Sequence, residues 1–352
     1  MLSDSIYGGQ RLTMSTTEKT PQPVALPTNR TRAILNKFVR DNRRPLSALV
    51  FFVVLIAIFM VANPRLFLNS QIYNAVFVSL PISIILVVPL VFIVTTGEID
   101  LSFPSVVGIC AWAFAAGIQA GINPILCFLA MLVVGVVAGL VNGFLVTRVK
   151  LSSLVATLGM NFLLRGLIYI GLQGYGITVS QLRDTTFFNF FVGDLNGFPV
   201  HMIWGILFAA VGWSLFSRHR FGAQVAAVGD NQDSAKEMGI DVNRVKTTAY
   251  VYMGLAAALA GLLSTLINAT FYPTTGDGYL LPVLAAVFVG GTPTWGGVGT
   301  VVGGVIGAFI VGFIETGIVG SGLTGYYTQF FYGLVIILSL VSHRFNQGRS
   351  RY

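Results

Sequence analysis

The stretch Ile72–Ala120, IYNAVFVSLPISIILVVPLVFIVTTGEIDLSFPSVVGICAWAFAAGIQA, decides how the chain must be read. It contains two apolar runs, Ile72–Thr95 and Pro104–Ala120, with Pro81 and Pro89 inside the first and a short polar interval between them. A helix needs roughly 20 apolar residues to cross the hydrocarbon core of a bilayer, and the first run meets that length. The interval carries two carboxylates, Glu98 and Asp100, and no lysine or arginine. Two physical readings are open for it. It is either a short solvated turn at the membrane face, or a broken helix whose polar stretch sits inside a bundle and lines a solute path. A carboxylate at the bilayer centre costs about 2.5–3.5 kcal/mol on insertion scales, so the second reading demands a function.

Eight further apolar runs lie outward of this stretch. Ser47–Ala62 precedes it, and Pro124–Val146, Ser153–Gln173, His201–Phe216, Ala249–Thr270, Leu280–Gly291, Gly299–Ile318 and Tyr326–Val341 follow. The run Leu280–Gly291 is short and flanked by Pro282 and Pro293, which predicts a broken or tilted span. Of the 352 residues, 55% are hydrophobic and 10% charged, against about 25% charged in a soluble domain. Lipid must therefore cover much of the surface. The fold class expected is an all-α membrane protein of about ten transmembrane helices, and the 40 glycines suit close helix packing.

The basic residues set the expected orientation. With the N-terminus inside and ten crossings, every Lys and Arg falls on the inner side except Arg65, Arg165 and Arg183. Both termini are expected to be cytoplasmic, and the net charge of +8 is explained by topology without nucleic acid. The first apolar run begins too far along the chain for an ordinary cleavable signal peptide. The expected division is a basic, mostly disordered cytoplasmic tail over 1–46, a transmembrane domain over 47–342 with a cytoplasmic segment over 217–248, and a cytoplasmic C-terminal tail over 343–352. Setting aside the first and sixth crossings leaves two groups of four that start on opposite sides, the pattern of an inverted repeat.

Several side chains are candidates for mechanism. Thr157, Asn161 and Arg165 are spaced by four and share a helical face. Arg165 either snorkels to the headgroups or faces the protein interior. Asn142 reads as helix-packing glue more than as a ligand contact. In the inner segment, Asp230 or Asn231 can cap a helix, Asp233 complements its dipole, and Gly239 with Ile240 suits its end. This predicts a helix of about two turns outside the membrane, either a plain connection or a docking element for a cytoplasmic protein. The glycine run Gly290–Gly304 misses a dinucleotide fingerprint by one residue and lies in a span, so it reads as helix packing and a tight turn. There is no GxxxxGK[ST], so the chain holds no ATP through a P-loop. Cys110 and Cys127 sit in apolar runs with no metal or disulfide spacing. His201, His219 and His343 share no metal or triad spacing. No catalytic residues, cofactor or metal ligands are expected.

Four ordered blocks carry a resemblance. TTGEIDLSFPSVVG resembles the GGIDLSVGS signature of ribose-, xylose-, arabinose- and galactose-type ABC transporter permeases. GLVNGFLVTRVKLSSLVATLGMNFLLRGL, FGAQVAAVGDNQDSAKEMGIDVNRVK and VFVGGTPTWGGVGTVVGGVIGAF resemble the next three blocks of that family, over roughly Val88 to Leu340. Glu98 stands where the family has Gly, and Phe103-Pro104 replaces Val-Gly. The resemblance implies a permease of an ATP-driven importer in the inner membrane, with a fold similar to the cobalamin-importer permease. It implies a second permease chain, cytoplasmic ATPase subunits that hold ATP-Mg, and an extracytoplasmic solute-binding protein. Gly229, Asp230, Asn231, Ala235, Met238, Gly239 and Ile240 would then form the ATPase-coupling interface. Asp100 and Ser102, with Thr157 and Asn161, would lie near the solute path. Glu98, Asn142 and Arg165 join them on the reading of the residues alone. The rival is an ion-coupled secondary transporter or channel in which Glu98, Asp100 and Arg165 couple ions.

Overall fold

A computed structural model of the chain describes residues 43–349, together with Ile34, Lys37 and Val39. The tail expected over 1–46 therefore lies largely outside the described residues, as do 350–352. The described chain is mainly helical, with four two-residue strands. Its helices are α1 Arg43–Ala62, α2 Pro64–Phe67, α3 Ser70–Thr95, α4 Phe103–Gln119, α5 Pro124–Thr147, α6 Ser153–Leu172, α7 Thr186–Val192 and α8 Val200–Ser217. They continue with α9 Arg220–Asp230, α10 Gln232–Glu237, α11 Val242–Asn268, α12 Leu280–Val289, α13 Val301–Gly320 and α14 Tyr326–Arg349.

Each of the ten apolar runs becomes a helix, but they are not equal. Eight are long and apolar enough to span a membrane, whereas Phe103–Gln119 and Asp277–Val289 are shorter. At 1.5 Å per residue, the ten residues of α12 rise only about 15 Å, half of a hydrocarbon core of about 30 Å. Both short helices follow a break, at residues 96–102 after α3 and at residues 269–279 before α12. The order long helix, break, short helix, two long helices therefore occurs twice, as α3–α6 and as α11–α14.

The long helices that precede the breaks form the centre. In α3 and α11, 78% and 72% of the most apolar window is buried, against 6% in α1 and 11% in α14. Helix α11 packs along α5, α4 and α3, and α3 also packs against α8, α12 and α13. The α5–α11 contact is backbone-close. A Cβ on Gly135 would overlap the carbonyl of Gly254, and one on Gly254 would overlap that of Gly135. Small residues at such crossings let two apolar helices gain dispersion contacts where lipid supplies no hydrophobic drive. Pro81 and Pro89 stay inside α3 without ending it, which neighbouring helices permit in a membrane.

The connection between α6 and α8 folds into a cap. Its strand β1, Ile177–Thr178, pairs antiparallel with β4, Thr270–Phe271, in the second break. Strands β2, Asp194–Leu195, and β3, Phe198–Pro199, form a small hairpin. On α7, Phe187 stacks on Phe114 of α4, and Phe191 packs at a tilt against Phe128 of α5. Helix α14 runs on to Arg349, through most of the segment expected as a C-terminal tail.

Candidate functional site

The polar groups of the first break are spent on holding it. Asp100 is 2% exposed, and its Oδ1 accepts from the backbone N–H of Ser102 at 2.7 Å and from Ser102 Oγ at 2.6 Å. Asn142 Nδ2 on α5 donates to the same Ser102 Oγ at 2.7 Å. Helix α6 supplies the rest. Ser153 Oγ accepts from the N–H of Ile99 at 3.2 Å, and Thr157 Oγ1 from that of Leu101 at 2.9 Å. Ser105 Oγ donates to Asn161 Oδ1 at 2.6 Å. A buried backbone that leaves helical pairing must find other partners, and these side chains are the partners.

Glu98 forms an ion pair with Lys246 of α11 at 2.5 Å, with side chains only 15% and 8% exposed. The pair ties the first break to the second half of the chain. Removing one member of a buried pair strands the other charge, at about 3–5 kcal/mol. Glu98→Gln and Lys246→Met are each expected to destabilise the protein by about that amount. The double variant is expected to recover most of the loss, a non-additivity that a double-mutant cycle of detergent-solubilised unfolding measures.

Arg165 does the corresponding work at the second break. It is 8% exposed and reaches inward from α6. Its Nη1 donates to the carbonyls of Pro273 at 2.5 Å and Thr275 at 3.1 Å. Its Nη2 donates to the carbonyl of Pro104 at 3.3 Å and pairs with Asp277 at 2.5 Å. One guanidinium fork thus binds three carbonyls and a carboxylate, joining the start of α4 to the break before α12. Asp277 was not singled out in the sequence because it stands in a polar loop, where an acid is unremarkable.

The segment over 217–248 holds more structure than the two turns expected. Helix α9 precedes the capped helix α10, and Asn231 is the N-cap, its Oδ1 accepting from Asp233 at 2.9 Å and Ser234 at 3.0 Å. Gly239 takes φ +77°, and Ile240 N–H returns to the carbonyl of Ala235 at 3.0 Å, closing the helix. Hydrogen bonding and charge from Lys236, 2.8 Å away, hold the Asp233 carboxyl below its ordinary range. Ala235 is fully buried and anchors α10, while Met238 is 66% exposed. The end of α9 lies on the first break. Gly229 abuts the carbonyl of Thr95, and Gly297 of the glycine run donates its N–H to that carbonyl at 2.9 Å. Gly296 and Gly297 adopt φ +81° and +77°, the tight turn expected of that run. Three segments distant in sequence meet at Thr95.

A cavity of about 500 Å³ lies elsewhere, between α3, α11, the second break and α13. None of Glu98, Asp100, Ser102, Asn142, Thr157, Asn161 or Arg165 lines it. They brace the breaks instead. Its one carboxylate is Glu315, missed in the sequence although an acid inside the apolar run Gly299–Ile318 is itself a signal. Among the described residues, no group of three or more His, Cys, Asp or Glu could hold a metal ion.

Residues 72–340 match the family described as branched-chain amino acid transport system / permease component. The chain is 31% identical over 296 residues to the ribose import permease protein RbsC of Escherichia coli strain K12, covering 84% of this chain and 92% of that one. It is 32% identical over 308 residues to the autoinducer 2 import system permease protein LsrC of Photorhabdus luminescens, covering 86% and 90%. The RbsC protein of Haemophilus influenzae is 30% identical over 313 residues, covering 88% and 95%. No solved structure matches significantly.

Proposed function

The chain belongs to the branched-chain amino acid transport system / permease component family, and from that membership we propose that it is the membrane subunit of an ATP-driven importer for a small sugar-like solute. The relatives are import permeases named for ribose and autoinducer 2. ATP-Mg binds on partner ATPase subunits, and a binding protein delivers solute to the face opposite them. The permease pairs with a second permease chain in an inner membrane, both termini cytoplasmic, with a fold of the cobalamin-importer kind.

The observation that carries this reading is the junction at Thr95. The capped helix α10 is short, and a helix this short is marginal alone. It is anchored through Ala235, and it follows directly on α9, whose end touches Thr95 and Gly297. A push on α10 by an ATPase therefore reaches the first break through backbone contacts, without any compliant side chain between. Gly229, Asp230, Asn231, Ala235, Met238, Gly239 and Ile240 make up this coupling interface, with Met238 as its exposed apolar contact. The bracing residues Glu98, Asp100, Ser102, Asn142, Thr157, Asn161 and Arg165 keep each break shaped along the solute path as the halves rearrange. Ion coupling is the weaker reading, because Glu98 and Arg165 are each committed to an ion pair.

Affinity purification of the tagged permease in mild detergent tests this. An ATPase subunit is expected to co-purify, and its recovery is expected to fall when residues 230–239 are replaced by a flexible linker. A milder change, Asn231→Ala, removes the cap at a cost of about 1 kcal/mol. It is expected to raise amide hydrogen exchange over 232–238 selectively. A permease that purifies alone, with or without the replacement, contradicts the reading.

A further inference from the structure

Glu315 is a charged group inside an apolar helix that the bracing network does not use. It sits on α13, inside a span, where an ionisable residue usually marks a substrate or ion pathway. Tyr332 of α14, itself 5% exposed, donates its hydroxyl to Glu315 Oε2 at 2.7 Å. That bond orients the carboxylate and leaves Oε1 as an acceptor. No cation among the described residues pairs with it.

The cavity that Glu315 lines has a volume of about 500 Å³, inside the range of about 300–1,000 Å³ common for small-molecule sites. The same cavity is lined by Ser83 of α3, Ser264 and Asn268 of α11, and Thr274 and Tyr279 of the second break. Asn268 Nδ2 donates to the carbonyl of Ser264 at 2.8 Å, which leaves its Oδ1 unspent. With Ser79, Tyr272 and Thr275, the wall thus offers two strong acceptors and seven hydroxyls that can donate or accept. No Lys, Arg or His lines it.

This inventory discriminates among solutes. An amino acid zwitterion would bring its carboxylate beside Glu315 with no cation to receive it. A bare metal cation would meet a single carboxylate, already engaged by Tyr332. A neutral molecule carrying several hydroxyls matches the wall, since each hydroxyl both donates and accepts. Its hydroxyls make charge-assisted hydrogen bonds to a carboxylate, about twice as strong as neutral ones. The rings of Tyr279 and Tyr272, also at the wall, supply apolar faces for the C–H side of such a molecule.

We propose that this cavity is a solute-binding site for a neutral polyhydroxylated molecule, with Glu315 as the specificity-determining contact and Tyr332 as its positioning residue. The proposal deepens the importer reading and rests on it for the identity of the cargo.

Gly278 provides a test that depends on neither ATP nor a binding protein. It lines the cavity, and a Cβ there would meet nothing within 4 Å. The two native cysteines are buried. In membranes holding the full chain, Gly278→Cys is expected to react with a membrane-impermeant methanethiosulfonate. Millimolar D-ribose, D-xylose or D-galactose is expected to slow that reaction, and L-leucine is not. Adding Glu315→Ala is expected to shift the protecting concentration upward about ten- to hundredfold, the loss of hydrogen bonds to a charged acceptor. Tyr332→Phe, which keeps the carboxylate but frees its orientation, is expected to give a smaller shift. A thiol at 278 that the reagent never reaches overturns the proposal. So does protection by none of the three sugars, protection by leucine in their place, or sugar protection indifferent to Glu315→Ala. Sugar protection that persists in a chain whose uptake ignores ATP overturns the importer reading and leaves the site standing.

Discussion

Gly229→Ala is expected to lower ATP-driven uptake by at least about tenfold while leaving the protein folded and in the membrane. The added methyl would overlap the carbonyl oxygen of Thr95 and crowd the backbone N–H of Gly297. Neither obstacle is a side chain that could rotate away. Overpacking of this kind costs about 1–3 kcal/mol in well-packed cores, and here the strain falls on the junction between α9, the first break and the glycine turn. The break must shift, the Gly297-to-Thr95 hydrogen bond must lengthen, or α9 must lift away. Each outcome loosens the link between α10 and the transmembrane helices, so hydrolysis by a partner is expected to continue without matching transport. Gly121→Ala is the control. Gly121 takes a left-handed φ of +76°, which Gly229 does not, and a methyl there meets nothing within 4 Å. Its cost is the local strain of about 1–2 kcal/mol for that conformation, confined to the turn after α4. The ratio of uptake to ATP hydrolysis in proteoliposomes separates the two. Equal ratios for both variants contradict the junction.

Arg165→Ala is expected to destabilise the protein by about 3–5 kcal/mol. It removes donors from the carbonyls of Pro104, Pro273 and Thr275 at once and leaves Asp277 without its partner. The carbonyl of Pro273, on a buried residue outside helical pairing, is then left without its donor. Arg165→Lys is expected to recover only part of the loss, since a point ammonium cannot span four acceptors as the planar fork does. Asp277→Asn is expected to cost about 1 kcal/mol or less, because the Asp277 side chain is 48% exposed. Thermal unfolding in detergent ranks the three. The second break also forms one wall of the cavity, so Arg165→Ala is expected to abolish sugar protection at position 278 as well.

The helices were legible in the sequence because hydropathy measures their common requirement, an unbroken apolar run. The runs Pro104–Ala120 and Leu280–Gly291 also came within two residues of α4 and α12. A 3₁₀ turn at Asp277–Tyr279 and the glycine turn confine α12. The cap at Asn231 and the stop at Gly239 were legible because capping is local. The partners of Glu98 and Arg165 were not, because those pairs close across 148 residues for Lys246 and 108 for Pro273. Lys246 was counted as a loop charge, yet the Asp241 cap starts α11 at Val242 and carries Lys246 into the bundle. Ser102, Asn142 and Thr157 are buried with Asp100, and each is taken up in a hydrogen bond. Sequence alone could not show that they satisfy one another. Glu315 needed only the rule applied to Arg165, that a charge inside an apolar run calls for a reason.

The most direct measurement is solute uptake into proteoliposomes holding the permease with its co-purifying ATPase, with and without ATP and the solute-binding protein. The account predicts accumulation of a sugar that requires ATP and the binding protein and is lost with Gly229→Ala. Uptake by the permease alone, driven by an ion gradient and indifferent to ATP, would contradict it.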